Sequence, residues 1–459
     1  MTIFHSYGSV NPGDPEAVAP HSAFEGASTT SSTINLLNTI VGAGILAMPF
    51  AYKANGVLLG TILISLAGVT AGFGLYLQSL GARYVPRGHA SFFAVAKVTY
   101  PSLAVVFDLA IAVKCFGVGV SYVIIVGDLM PQICESLGLT HEYLLHRQIW
   151  VTITMAIVGP LSYLRKLDSL KYTSIVALAS VGYLVIIVIG HFLVGDTLGN
   201  RGEVRLIEPN SAVSVLSALP IIVFAFTCHQ NMFSVLNELH DQSVKTVSTM
   251  ISGSIGTAGF LYMLVGLCGY FSFGDNVGGN IIQMYPYSIF STIGRIAIVV
   301  LVLFSYPLQC HPCRASVNHV LHSLKEIYAN RRHGKGRFTA LPNSDESDQA
   351  EQTPEAGTPD NDQVGIVPLS TTTFVVLTTI ILILSYIVSL TVQSLELMLA
   401  FVGATGSTSI SFILPGLFAY SLLGHGDHKF MRSLALALSI WGITVAVVCL
   451  SINIYALAR

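Results

Sequence analysis

The segment Asn38-Thr39-Ile40-Val41-Gly42-Ala43-Gly44-Ile45-Leu46-Ala47-Met48-Pro49 is where this chain first offers chemistry. It lies inside a hydrophobic span running from about Ser31 to Tyr52. Two glycines and a proline in eight residues cannot hold an unbroken helix. A break in hydrocarbon exposes backbone N–H and C=O groups, which is tolerable only where protein or a water-filled cavity surrounds them. The two half-helix ends offer opposite partial charges, which suit a small zwitterion or an ion. Gly42, Ala43, Gly44 and Ile45 are therefore candidate binding residues. The plainer role for the two glycines is a seam that lets helices pack closely.

Other side chains extend the list. Lys114, Gly117, Ser121 and Asp128 recur at spacings of three, four and seven, which puts them on one face of a helix. A lysine or aspartate at bilayer depth costs roughly 2.5–3.5 kcal/mol on insertion scales, so it must face protein or water. Lys114 suits a substrate carboxylate or a proton-linked ion pair, or else a structural pair with Asp108; Asp128 lies nearer the end of its span. Ser305 and Gln309 share a face and offer oxygens for an ion beside Asn38, or ordinary interhelical hydrogen bonds. His229 and His311 are the side chains that change charge near physiological pH.

The elements that position these residues are membrane spans. Hydrophobic residues make up 53% of the 459 and charged residues 10%, against roughly 25% charged in a soluble domain. Spans of about 20 apolar residues recur. Eleven are expected, at 31–53, 57–80, 103–131, 147–164, 172–194, 213–237, 248–273, 289–313, 368–391, 395–423 and 431–457. The sixth is interrupted like the first: Leu219-Pro220 leads into Phe224-Ala225-Phe226-Thr227-Cys228-His229-Gln230-Asn231. Interruptions five spans apart suggest two five-span halves of opposite orientation, with substrate bound between discontinuous helices 1 and 6. The expected fold class is thus an all-α polytopic membrane protein of eleven helices.

Fifteen of the 22 Lys and Arg residues fall on the side of the N-terminus and five on the other; Lys114 and Arg295 lie within spans. That bias predicts a cytosolic N-terminus and, for eleven spans, a C-terminus on the opposite side. Residues 1–30 read as a polar tail without a cleavable signal, and 331–367 as a cytosolic loop rich in Ser, Thr, Pro and acid, flanked by spans 1–8 (31–330) and 9–11 (368–459). Thr353 and Thr358 precede prolines and suit phosphorylation; an unselected spacer suits the loop equally. The seven cysteines read as small buried residues, the Cys310–Cys313 pair included. No nucleic-acid motif accompanies the basic residues, and no cofactor, metal site or enzymatic constellation is expected.

The first-span motif resembles that of the amino acid/auxin permease family, which includes the solute carrier 38 transporters. Ile111 to Tyr122, Val126-Gly127-Asp128-Leu129-Met130-Pro131, Phe224 to His229, Phe273-Gly274-Asp275-Asn276 and Gly403 to Gly416 match in order. The resemblance is strongest to fungal vacuolar amino acid transporters. It implies an eleven-helix carrier of the five-plus-five inverted-repeat type. It also places Asn38 and Ser305 where sodium-coupled relatives bind their ion, whereas the vacuolar relatives are linked to protons.

The expectation is therefore a proton-coupled carrier exporting amino acids, acidic ones by closest resemblance with neutral or basic ones open, from the vacuole lumen to the cytosol, in contact with lipid and substrate. N–H groups around Gly42–Ile45 would hold the carboxylate. Carbonyls near Phe224, Ala225 and Thr227, with Ser121, would complete the substrate site. Asn38, Ser305, His229 and Lys114 are assigned to ion or proton coupling. The rivals are a plasma-membrane amino acid symporter and an amino acid receptor with little transport; a tail of only about 30 residues argues against the receptor.

Overall fold

The computed structural model describes residues 26–164, 173–332, 369–424 and 428–458. The expected tail (but for its last five residues) and nearly all of the 331–367 loop lie outside them. The regular elements of the described residues are helices: α1 (Thr29–Ile40), α2 (Met48–Asn55), α3 (Val57–Ala82), α4 (Phe92–Thr99), α5 (Ala104–Ser136), α6 (Arg147–Ser162), α7 (Thr173–Val194) and α8 (Ala212–Ala225). There follow α9 (His229–Glu238), α10 (Val244–Phe273), α11 (Ile281–Met284), α12 (Ile289–Arg332), α13 (Thr371–Thr391), α14 (Leu395–Val402), α15 (Leu414–Leu422) and α16 (Lys429–Leu457). A single β-bridge among the described residues, Ala27 against Leu239, pins the start of the first span to the end of α9.

Local chemistry sets many helix starts. Ser28, Ser91, Ser211, Ser243, Ser370 and Ser394 each cap a helix, their hydroxyls accepting a backbone N–H three residues on. Such a cap satisfies one of the donors a helix N-terminus leaves open. The turn between α2 and α3 falls on Gly56, at φ +74°, a region costly for any side chain.

Nine helices among the described residues are long and apolar enough to cross a membrane, ten if the bent pair around Gly42 is one span. The fourth expected span is α6, whose 16 residues reach only about 24 Å. The expectation for the eighth span stops at 313, but α12 runs to Arg332 through Pro307 and Pro312. Its continuation is packed: Arg314 donates to the Ser162 carbonyl at 3.1 Å and to Thr378 at 2.9 Å, and His319 lies 3.5 Å from Asp108. Arg314 thus has a structural task besides any weight in setting orientation. The tenth span is irregular, with wide π-type turns over Gly403–Ser407 and Ser409–Ile413 between α14 and α15.

Both expected breaks are present. The first span bends by 48° between Thr29–Ile40 and Ala43–Asn55, with a short 3-10 turn over Ala43–Ala47. The sixth breaks between α8 and α9, at Phe226–Cys228. α5, the long and largely buried third span, packs along α12 beside these breaks.

Candidate functional site

The breaks meet because a glycine lets them. A Cβ on Gly44 would come within 2.8 Å of the Ala225 Cα, so the first span's turn sits directly on the end of α8. Tyr262 of α10 stands behind the junction, its hydroxyl 2.7 Å from the Ile40 carbonyl and 2.8 Å from that of Ala225. One phenol therefore serves the freed carbonyl of each break. On the other side Asn231 of α9 donates to the Thr39 hydroxyl at 3.0 Å.

A cavity of about 630 Å³ lies beside the junction. Its walls come from α1, the Gly42–Ala43 turn, α5, α7, α9 and α12. Asn35, Asn231, Ser234, Glu238 and His311 are exposed at its mouth, so it opens on the face carrying the start of α1. The opposite face is closed. There the segment before α8 straps the turn between α2 and α3, with Val57 and Leu58 donating to the Arg205 and Leu206 carbonyls at 3.0 and 2.9 Å. Arg205 also pairs with Asp275.

The cavity's inner wall is rich in unspent acceptors. The side-chain oxygens of Asn38, Gln230 and Gln309 are buried without a hydrogen-bond partner, and all three residues line it. Ser305 lines it too, its hydroxyl donating to the Leu301 carbonyl at 2.7 Å and so keeping lone pairs free. Gly42 and Ala43 face it at the start of the 3-10 turn, where N–H groups lack intrahelical acceptors. The charged or titratable side chains of this lining are Glu238 and His311, with Tyr122 adding a phenol.

Several expected site residues stand elsewhere. Gly44 and Ile45 are buried in the packing of the break and not in the cavity lining, so the two glycines divide the roles of site and seam. The Phe224 and Ala225 carbonyls already accept bonds within the junction, Phe224 from the Thr227 N–H at 3.0 Å and Ala225 from Tyr262. The Thr227 hydroxyl donates to Val223 at 2.9 Å, and Ser121 donates to Gly117 of its own helix at 2.9 Å. The next residue on α5, Tyr122, reaches the cavity instead.

His229 lies outside this cavity's lining. It is 0% exposed, its Nε2 lies 3.1 Å from the Ala71 carbonyl, and its own carbonyl accepts from Gln78 at 2.9 Å. The Ala71 carbonyl calls for an N–H at Nε2, and Nδ1 is buried without a partner. His311, left out of the coupling assignment, is the histidine that meets the cavity mouth. Lys114 is 3% exposed, and its expected partner Asp108 is taken by His319. It instead lies within electrostatic reach of Cys228 and His229 at the sixth-span break, with its backbone against Gly406.

Tyr262, Gln230 and Glu238 were not singled out from the sequence. Polar side chains follow the sixth-span break in Gln230-Asn231, which was the available signal; a tyrosine in an otherwise ordinary apolar span gave none.

A helical bundle whose first and sixth spans break beside a polar, one-sided cavity is the architecture of a membrane carrier. The profile of the family described as transmembrane amino acid transporter protein matches residues 25–458, and the chain belongs to that family. It is 45% identical over 439 residues to vacuolar amino acid transporter 5 of Schizosaccharomyces pombe, covering 94% of this chain and 95% of that one. It is 43% identical over 449 residues to vacuolar amino acid transporter 6 of Saccharomyces cerevisiae, covering 93% and 98%. It also resembles the crystal structure of MhsT in complex with L-phenylalanine, at 13% identity and a TM-score of 0.51, over 94% of this chain and 99% of that one; this shows a common fold. The protein is thus a multi-pass membrane protein of an amino acid transporter family and not an enzyme.

Proposed function

We propose that this protein is a proton-coupled carrier that moves amino acids out of the vacuole lumen into the cytosol. The observation that carries the reading is the cavity at the broken first span, with unpaired oxygens on Asn38, Gln230 and Gln309 and an opening on one face only. Eleven spans in a five-plus-five repeat, with α6 as the short fourth, would put that opening on the cytosolic side; the bias of Lys and Arg supports this orientation. The location is proposed from the two vacuolar relatives.

In this reading the first N–H groups of the turn at Gly42 and Ala43 receive the substrate carboxylate, aided by the positive end of the helix that follows. The three amide oxygens receive the ammonium. No Lys or Arg belongs to the described lining, and Glu238 stands at its mouth, so neutral or cationic substrates suit it better than the acidic ones first expected. His311 replaces His229 as the proton carrier because it meets both cavity and solvent. One pH unit across the membrane supplies about 1.4 kcal/mol per proton. Lys114 is retained as a fixed charge behind the sixth-span break.

A second reading, sodium coupling, is favoured by the placement of Asn38 and Ser305 on the same cavity. Efflux of labelled amino acids from proteoliposomes decides between them. A pH gradient alone should drive neutral and cationic amino acids. Efflux that needs sodium and ignores the pH gradient would establish the second reading.

A further inference from the structure

A second polar cavity, of about 380 Å³, lies between the far ends of α5 and α6, the loop before α11 and the start of α14. These ends are on the face opposite the mouth of the first cavity. Arg147 spends its donors there: Nε to Asp128 at 2.8 Å, Nη1 to the Ser389 carbonyl at 2.9 Å and Nη2 to that of Val392 at 3.4 Å. Glu396 shares the cavity, and among the described residues no cationic side chain pairs with it. Its carboxylate lies against Gly279, where a Cβ would collide with it.

Asn280 points to a ligand. It is 3% exposed, lines the cavity, and has a partner for neither its Oδ1 nor its Nδ2. Buried amides are rarely left with both groups unpaired. Two carboxylates and one guanidinium leave the lining with one negative charge in excess, which selects a positively charged occupant. The described residues contain no group of three His, Cys, Asp or Glu able to hold a metal. A hard divalent cation would also have no use for the Asn280 amide donor. An organic molecule carrying two ammonium groups and a carboxylate uses the whole lining.

We propose that this cavity is a second amino-acid site, on the face away from the N-terminus, that takes cationic amino acids. Asp128 and Glu396 receive the side-chain ammonium, Asn280 Oδ1 the α-ammonium and Asn280 Nδ2 the carboxylate. The site deepens the carrier reading by naming the substrate class that would gather at the lumenal entrance, and it rests on that reading for its biological sense.

The test is binding of labelled lysine to the purified full-length protein in nanodiscs. E396Q should bind one lysine fewer per protein, or bind it at least tenfold more weakly at one site. E396D, which keeps the charge, should bind within about threefold of the parent, and glutamate should not displace lysine from this site in the parent. A parent-like lysine isotherm for E396Q, or equal displacement by glutamate, would overturn the proposal. Should E396Q fail to fold, the glutamate competition on the parent still decides. Transport without a Glu396-dependent lysine would leave the carrier reading intact and remove this site. Such a lysine without transport would do the reverse.

Discussion

Tyr262 fixes the geometry of the site through one hydroxyl shared between the Ile40 and Ala225 carbonyls. Replacing it with phenylalanine keeps the ring against Phe226, with centroids 5.1 Å apart, and removes only the oxygen. A buried acceptor left without a donor costs about 1–3 kcal/mol. Y262F should therefore lower the thermal unfolding temperature and reduce maximal transport while the protein still reaches its membrane. Parent-like values for both would show that the carbonyls find another donor. The histidines separate in the same way. H311Q should flatten the dependence of efflux on pH, because it removes a titrating group at the cavity mouth. H229Q should leave that dependence unchanged and lower stability, because it disturbs the bond to Ala71 and the packing against Gly74. A flattened profile in H229Q alone would restore the original assignment.

Among the elements, the irregular helices couple the two breaks to the rest of the bundle. Gly403 begins the π-type segment of the tenth span, and a Cβ there would lie 2.0 Å from the Pro220 carbonyl. That contact couples the tenth span to α8 and hence to the sixth-span break. G403A should destabilise the protein by about 1–3 kcal/mol, the usual cost of overpacking a core, read as a lower unfolding temperature. An exposed control is the start of α10, where the Thr246 hydroxyl, and the Ser243 N–H and hydroxyl, hold the Asp241 carboxyl below the usual carboxylate range. A depressed value means that the cap contributes above the ordinary carboxylate pKa and is lost as pH falls through the lowered one. Amide exchange of Val244–Val247 should accelerate on acidification through that range in the parent and be pH-independent, beyond intrinsic rates, in D241N. Much of this was legible beforehand. Glycine and proline in apolar spans marked the two breaks, because backbone propensity is local. The π-type turns of the tenth span were hidden because Gly403-Ala404-Thr405-Gly406-Ser407 reads equally as a small-residue seam. Side-chain roles were the least legible: which of Ser121 and Tyr122, or of His229 and His311, meets the cavity depends on how neighbouring helices rotate. A one-residue step on a helix turns a side chain by about 100°, and face assignments from spacing alone do not fix which face is wet.

At the scale of the whole molecule, one face is open and the other shut, and alternating access requires the two to exchange. The open face exposes Ser234 on α9 at the cavity mouth. The shut face buries Ile281 of α11 completely, beneath the loop that receives the Lys53 ammonium at the Val277 carbonyl, 3.1 Å away. All seven native cysteines are buried and free, so an introduced cysteine reports its own surroundings. In the resting protein S234C should react quickly with a membrane-impermeant thiol reagent applied to the N-terminal face. I281C should resist the same reagent applied to the other face. A ligand can shift two states only by its differential affinity for them, so substrate and a pH gradient acting together should move the two rates in opposite directions. A tenfold exchange of accessibility corresponds to about 1.4 kcal/mol of differential stabilisation, the energy one pH unit provides per proton. Parallel changes at both positions would indicate general loosening, and no change at either would indicate that the open face is a fixed vestibule. Only opposed changes, with S234C slowing as I281C quickens, fit a carrier whose broken first and sixth spans rock between two faces around the Gly42–Ala43 turn.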